Sequence, residues 1–208
     1  MPSKLRYFLQ ESWLLLAGSF CFGLLIAVTN AALSDRIEQN KIAKLNELTK
    51  ALMPEAQHFQ LIDAQIEVAL PDGSKEKAGI SEALAGDKQR VGWSFNIHGV
   101  GFSGPIEMVV AVDKDFQKIM GFDVLSSSET PGFGDRIKSD WYRSQFVSAP
   151  VDRLALVKTG DPAAKDAQIV ALTGATVSSQ AVVDIFNTFL TQIKEQMQKK
   201  GLIANVTQ

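Results

Sequence analysis

The chain has 208 residues, a formal net charge of -2 and a hydrophobic fraction of 46%, enough for one domain of ordinary size and an appendage. The near-neutral charge, without basic runs interleaved with aromatic residues, gives no reason to expect a nucleic-acid partner. A single cysteine, Cys21, excludes an intrachain disulfide, and with only two histidines we predict no metal site.

The first predicted element is a membrane anchor, because residues 13–33 form a run of 21 residues without a charge. A helix of about 20 apolar residues spans the hydrocarbon core of a bilayer. Lys4 and Arg6 precede the run, and a basic flank favours the cytoplasmic side. We therefore predict a single-pass protein of a bacterial inner membrane, with residues 1–12 in the cytoplasm and the part after residue 33 in the periplasm. A cleaved signal peptide is the alternative, although residues 29–31 match the cleavage pattern poorly.

A juxtamembrane helix is predicted over residues 34–54, starting at Ser34-Asp35 and continuing with apolar residues at helical spacing. It should end at Met53, because the residue before a proline disfavours the helical conformation. Residues 55–90 are predicted to be peripheral: extended structure over 59–70, a turn at 71–74, and a loop or short helix over 75–90.

The main domain is predicted over residues 91–200, with a C-terminal tail at 201–208. Alternating apolar residues from Val91 indicate a half-buried strand, and strands at 106–112 and 119–125, joined by a polar turn at 113–115, indicate an antiparallel hairpin. The later elements are a loop at 126–134, a helix at 137–146 with Trp141 and Phe146 inward, short strands near 153–158 and 169–172, and a long helix from about Gln180. This order predicts an α+β fold with a mainly antiparallel sheet packed by helices.

Small and hydroxylated residues follow the last predicted strand: Thr173-Gly174-Ala175-Thr176-Val177-Ser178-Ser179. A turn before a helix N-terminus forms an anion site, because the first backbone N–H groups are free and the helix dipole favours negative charge. Gly174 and Ala175 leave room for a bulky group to approach the backbone. The alternative is that Ser178 or Ser179 simply caps the helix.

Residues 173–176, Thr-Gly-Ala-Thr, resemble the [Ser/Thr]-Gly-Ala-Thr flavinylation motif of the FMN-binding domain family, whose last threonine carries FMN through a phosphoester bond. Two further segments resemble this family in the same order. Residues 99–106 are similar to its Gly-Tyr-x-Gly-Pro-Ile segment, with Phe102 for tyrosine, and residues 129–134 to its Glu-Thr-Pro-Gly-Leu-Gly segment, with Phe133 for leucine. Val170 departs from the pattern, since it stands where the family often has an aspartate. Attachment should be less efficient here if that aspartate assists the modifying enzyme.

The resemblance implies that FMN is attached to Thr176. It also implies that the remaining cofactor contacts come from the same turn and from the 129–133 loop, namely Thr173, Gly174, Ala175, Val177, Ser178, Glu129, Thr130, Pro131, Gly132 and Phe133. Phe133 and Trp141 are candidates for packing on the isoalloxazine ring, although Trp141 fits the core equally well. Because the redox chemistry would belong to the flavin, no acid–base catalytic residue is expected in this chain.

One membrane helix, about 200 residues and a single C-terminal flavin domain together resemble the G subunits of the Rnf (Rsx) ion-translocating electron transport complexes. This resemblance implies an electron carrier between ferredoxin and NAD, coupled to ion transport. The implied partners are the other membrane subunits and a flavin transferase. Three alternatives stay open: the related C subunit of the sodium-translocating NADH:quinone oxidoreductase or another exported flavin relay, a cofactor-free anchored scaffold, and, least supported, an anchored hydrolase.

Overall fold

The computed structural model of the protein describes residues 2–62, 66–71 and 73–204. Part of the predicted extended segment at 59–70, one residue of the predicted turn at 71–74 and half of the predicted tail at 201–208 lie outside these residues. The chain divides into two compact units, Met1–Ala43 and Lys44–Gln208.

Helix α1 runs from Pro2 to Leu52, and its residues up to Ala43 belong to the first unit. Residues 14–33 are exposed along their whole length, and the helix is long and apolar enough to cross a membrane. The predicted helix start at Ser34-Asp35 is wrong, because α1 passes through it without a break. The Ser34 hydroxyl donates to the Ala31 carbonyl at 3.0 Å, so it is satisfied within the helix and caps nothing.

The second unit is built on an antiparallel sheet, as predicted. Its strands in chain order are β1 His58–Ile62, β4 Gly79–Leu84, β5 Arg90–Val100, β6 Pro105–Asp113 and β7 Ile119–Ser127, and they lie side by side in the order β1-β4-β5-β6-β7. Strands β2 Glu67–Ala69 and β3 Lys75–Lys77 form a separate antiparallel pair. The prediction of a loop or short helix over 75–90 is therefore wrong, since this segment supplies β3 and β4.

The hairpin of β6 and β7 confirms the predicted strands and the polar turn between them. Asp113 organises this turn: its Oδ1 accepts from the backbone N–H groups of Gln117 and Lys118, at 2.6 and 2.8 Å. Phe116 adopts a φ of 56° and its side chain is fully buried. A carboxylate that accepts from its own turn is the usual reason for aspartate at such a position.

Three short helical turns replace the single helix predicted at 137–146. They are a 3-10 turn at Gly134–Lys138, helix α2 at Asp140–Arg143 and a second 3-10 turn at Ser144–Phe146. Because the helical register is interrupted, Trp141 faces outward and is 46% exposed, which corrects the prediction that it points inward. Phe146 is buried, as predicted.

The C-terminal part begins with β8, Ala155–Val157, and β9, Gln168–Val170, which pair in parallel. Helix α3 then runs from Thr176 to Lys199, four residues earlier than its predicted start at Gln180. The side chain of Gln145 is fixed against β9, since its Oε1 accepts from the Val170 N–H at 2.8 Å and its Nε2 donates to the Val170 carbonyl at 3.2 Å.

The core lies between the sheet and α3. Phe122 of β7 and Phe186 of α3 have ring centroids 5.3 Å apart, and Phe146 lies 4.8 Å from both. Tyr142 joins them through an edge contact with Phe122. This aromatic cluster fixes α3 on the sheet and therefore fixes the position of the helix N-terminus.

Candidate functional site

Two tight turns bring the predicted site residues together. In the first, the Ala175 N–H donates to the Leu172 carbonyl at 3.0 Å, and Gly174 has a φ of 82°. A positive φ at the third residue is the mark of a type II turn, and glycine adopts it without strain. This turn reverses the chain after β9 and starts α3 at Thr176.

The second turn spans Thr130 to Phe133, where the Phe133 N–H donates to the Thr130 carbonyl at 3.2 Å. Pro131 occupies the second position, and Gly132 the third with a φ of 79°. Proline followed by glycine is the residue pair that a type II turn favours. Pro131 and Gly132 thus shape the loop that presents Phe133.

The N-terminus of α3 is left without a side-chain cap. Ala175 is the N-cap residue and makes no side-chain capping bond, and the first intrahelical bond runs from the Ser179 N–H to the Ala175 carbonyl at 2.9 Å. The N–H groups of Thr176, Val177 and Ser178 precede that bond. Together with the positive end of the helix dipole, these groups have the chemistry that an anion site requires, and the anion site remains a prediction.

The capping alternative for Ser178 and Ser179 is not what the structure shows. Buried Ser179 donates its hydroxyl to the Ala175 carbonyl at 2.9 Å and accepts from the Leu172 N–H at 3.1 Å. It therefore ties the end of the strand segment to the helix. The Ser178 hydroxyl leaves the helix altogether and donates to Glu129 at 2.6 Å.

A cavity of about 450 Å³ opens beside these turns. It is lined by the following residues: Phe102, Glu129, Thr130, Phe133, Gly134, Gly174, Ala175, Thr176, Val177 and Ser178. Most of the predicted site residues are thus brought to one place, although they come from segments more than 40 positions apart. Thr173, Pro131, Gly132 and Trp141 are not among the lining residues.

Two lining residues were not in the predicted set, Phe102 and Gly134. Both residues belong to the segments, 99–106 and 129–134, that resemble the FMN-binding domain family, so their positions in those segments could have identified them. Arg136 was also missed. Its Nη1 donates to the Thr173 carbonyl at 3.0 Å, which places a cation beside the turn.

The cavity wall contains one buried carboxylate. Glu129 is 5% exposed; its Oε1 accepts from the Ser103 N–H at 3.0 Å and its Oε2 from the Ser178 hydroxyl at 2.6 Å. The hydroxyls of Ser103 and Thr130 lie 2.9 Å apart at the more exposed edge. Phe102, Phe133 and Val177 are 69%, 62% and 58% exposed, so the rim of the cavity is apolar and open.

Behind the cavity, Tyr142 supports the same turn. Its hydroxyl donates to the Ser179 carbonyl at 3.0 Å, and complete burial raises the pKa of this phenol well above its ordinary value. The group is therefore a neutral donor at any physiological pH and serves structure.

These residues fit a ligand that combines a phosphate with a flat aromatic ring. The volume is within the range of small-molecule sites, the free N–H groups of α3 suit phosphate oxygens, and the aromatic rim suits a ring. Thr176 is exposed, is the first residue of the helix and lines the cavity.

Residues 101–191 match the family model of the FMN-binding domain. The chain is 28% identical to the G subunit of an ion-translocating oxidoreductase complex from Methanosarcina acetivorans, over 83% of this chain and 87% of that protein. It is 29% identical to the G subunit of the proton-translocating ferredoxin:NAD(+) oxidoreductase complex from Clostridium ljungdahlii, over 78% and 79%. With the G subunit of the ion-translocating oxidoreductase complex from Aliivibrio fischeri it shares 32% identity, over 76% and 77%.

Two crystal structures share the fold. The C subunit of the Na(+)-translocating NADH-quinone reductase from Parabacteroides distasonis matches with a TM-score of 0.54 at 19% identity, covering 77% of this chain and 96% of that one. NqrC from Shewanella oneidensis matches with a TM-score of 0.53 at 22% identity, covering 69% and 73%. The higher identity and broad coverage of the sequence relatives decide the assignment: the chain belongs to the family of G subunits of ion-translocating oxidoreductase complexes.

Proposed function

We propose that this protein is a membrane-anchored electron carrier with FMN attached covalently to Thr176, in an ion-translocating complex that moves electrons between ferredoxin and NAD. The observation that carries the proposal is the exposed Thr176 hydroxyl, at the uncapped start of α3 and in the wall of the cavity. The FMN-binding domain match supports the cofactor, and the relatives support the complex.

Attachment needs a hydroxyl and an activated flavin. The Thr176 oxygen would form a new bond to the flavin-side phosphorus of a flavin dinucleotide donor. The pyrophosphate bond of the donor would break, a nucleoside monophosphate would leave, and the threonine proton would pass to solvent. The protein therefore gains the mass of FMN less one water. A flavin transferase supplies the catalysis for this step, so the chain itself needs only to present the hydroxyl.

Each side chain then has a defined task. The N–H groups of Thr176, Val177 and Ser178 would hold phosphate oxygens, while Gly174 keeps the turn tight next to Ala175. Phe102 and Phe133 would lie against the ribityl chain or the ring. Thr173, Pro131 and Gly132, predicted as contacts, act through the shape of the two turns. Bound FMN supplies the redox chemistry, and the chain contributes position and electrostatics without an acid–base catalytic residue.

The proposed location follows from α1. Among the described residues one helix, near the N-terminus, is long and apolar enough to cross a membrane. Its basic flank supports a cytoplasmic N-terminus and a periplasmic domain in a bacterial inner membrane. A covalent bond is useful there, because a dissociating cofactor would be lost. We keep residues 91–200 as the FMN-binding unit, and the other membrane subunits as its partners.

The decisive experiment is the intact mass and the flavin fluorescence of the denatured protein, prepared with a flavin transferase. We expect the wild type to gain the mass of FMN less one water, and Thr176→Ala to carry none. Thr191→Ala is the matched control, since it removes an exposed threonine from the same helix outside this cavity.

An unmodified wild type without fluorescence would reject covalent attachment and favour the cofactor-free scaffold. If the wild type is modified, co-purification decides which complex the protein belongs to. Co-purifying subunits of a ferredoxin:NAD complex would support the proposal. Subunits of a quinone reductase would favour the C-type subunit, and those of another exported reductase would favour a different flavin relay.

A further inference from the structure

Glu129 joins three segments that surround the cavity. Its carboxylate accepts from the Ser103 backbone in the loop after β5 and from the Ser178 hydroxyl in the first turn of α3, while the residue itself belongs to the loop after β7. Its own N–H donates to the Ser127 hydroxyl at 3.2 Å. Both carboxylate oxygens are thus engaged by protein donors.

Two glycines enclose this carboxylate. A Cβ at Gly101 would overlap Oε1 of Glu129, and a Cβ at Gly134 would overlap Oε2 and come within 2.6 Å of the Ser178 hydroxyl oxygen. Any larger residue would therefore displace the carboxylate or the backbone around it. The close approach leaves Glu129 little freedom to move.

A buried carboxylate is costly unless its hydrogen bonds are complete, because burial disfavours the charged form. Among the ion pairs of the described residues none involves Glu129, and its donors are a backbone N–H and a hydroxyl. Such an arrangement contributes a defined geometry more than it contributes stability.

We propose that Glu129 is a positioning residue that fixes the first turn of α3, so that Thr176 presents its hydroxyl to the flavin transferase. This inference rests on the proposed function. Ser178 lies two positions after Thr176 in the same helical turn, so holding its hydroxyl restricts the whole turn. A transfer step is slowed strongly when the attacking oxygen is misplaced by about 1 Å relative to the phosphorus that it attacks.

The test is the initial rate of covalent FMN incorporation into the full-length chain, followed by intact mass with a flavin transferase and a flavin dinucleotide donor. We expect Glu129→Ala to be slowed about tenfold, since it removes both hydrogen bonds that connect this loop to Ser103 and Ser178. Ser178→Ala should be slowed severalfold. Glu129→Gln should stay close to the wild type, because its amide keeps an acceptor for Ser103 and a donor for the Ser178 oxygen.

Gln180→Ala is the matched control, since it removes an exposed hydrogen bond to Asp184 from the same part of α3. A second readout is amide hydrogen exchange without flavin. Glu129→Ala should accelerate exchange of the Ser179 N–H, which makes the first intrahelical bond, and leave the Ile193 N–H in mid-helix unchanged. Ser178→Ala gives the same comparison if Glu129→Ala fails to fold.

Equal rates for wild type and Glu129→Ala would overturn the inference and leave the proposed function intact. So would a Glu129→Gln variant as slow as Glu129→Ala, because the charge would then matter and the geometry would not. A wild type that accepts no flavin would instead reject the proposed function, and this inference with it.

Discussion

Helices α1 and α3 are both rich in apolar residues and differ completely in their surroundings. In α1, Phe22 is 75% exposed and Ile26 65%, whereas in α3, Phe186 is 1% exposed and Ile193 is fully buried. The apolar residues of α3 recur on one face, with polar residues opposite, while those of residues 13–33 surround the helix. A helix that is apolar on all sides suits a lipid environment, and an amphipathic one suits a sheet.

The same physical driving force therefore yields an anchor in one region and a scaffold in the other. Burial of α3 fixes the helix start that carries Thr176, through the aromatic cluster of Phe122, Phe146 and Phe186. Exposure of α1 leaves its apolar side chains available to a bilayer. The predictions below change one helix at a time.

The largest effect is expected from Phe186→Ala, which should destabilise the domain by about 3–5 kcal/mol, because it leaves a cavity beside the rings of Phe122 and Phe146. The measurement is the midpoint of urea unfolding of the full chain in detergent. Phe22→Ala is the matched control: the same change at an exposed site of α1 should leave the midpoint unaltered. A similar shift in both variants would contradict the contrast between the helices.

A charge in the middle of α1 should act on membrane insertion instead. Leu25→Arg is expected to disfavour insertion by about 2.5–3.5 kcal/mol, the cost of an arginine at the centre of a membrane helix. The readout is the fraction of protein in the membrane pellet after carbonate extraction, with Leu25→Met as control. An unchanged membrane fraction for Leu25→Arg would argue against a spanning helix.

The smallest effect concerns the buried contact between Tyr142 and the Ser179 carbonyl. Tyr142→Phe should cost about 1 kcal/mol at neutral pH, since one hydrogen bond is lost and the carbonyl stays buried. A chemical denaturation series at neutral pH measures this difference.

The same variant has a pH signature. Burial raises the pKa of Tyr142 in the folded state, so the unfolded chain loses its proton first and stability falls as pH rises above about 10. Because Tyr142→Phe lacks the phenol, its free energy of unfolding should not show this part of the decrease at alkaline pH. Parallel pH profiles above pH ~10 for both proteins would show that Tyr142 does not ionise on unfolding.

The sequence predicts what depends on local pattern. Alternation identifies β5, and the polar turn at 113–115 identifies the hairpin of β6 and β7. The Pro131-Gly132 and Gly174 signals mark the two turns that form the cavity. The sequence analysis missed β4 because only Ile80 and Ala83 of that strand are buried, which gives no regular apolar pattern. The strand forms because its backbone pairs with β1 on one side and β5 on the other. The sequence analysis misplaced Trp141 because a 3-10 turn changes the register by which a helix face is read.

The contact of Glu129 with Ser178 could not be predicted from local pattern at all. The two residues are 49 positions apart and meet only after α3 packs on the sheet. The close approach of Gly101 and Gly134 to the carboxylate likewise depends on the docked arrangement. Family resemblance assigned Glu129 and Ser178 to one site, and the packing supplies the contact between them.

Ala175 at the N-cap of α3 has a consequence for how this chain could evolve in the laboratory. Serine or aspartate at that position would stabilise the helix by about 1 kcal/mol, by occupying the N–H groups that a phosphate would otherwise bind. A library selected for thermal stability alone should therefore enrich Ala175→Ser. If the proposed FMN site is correct, the enriched clones should incorporate less flavin, because a helix cap and the phosphate would compete for the same backbone N–H groups.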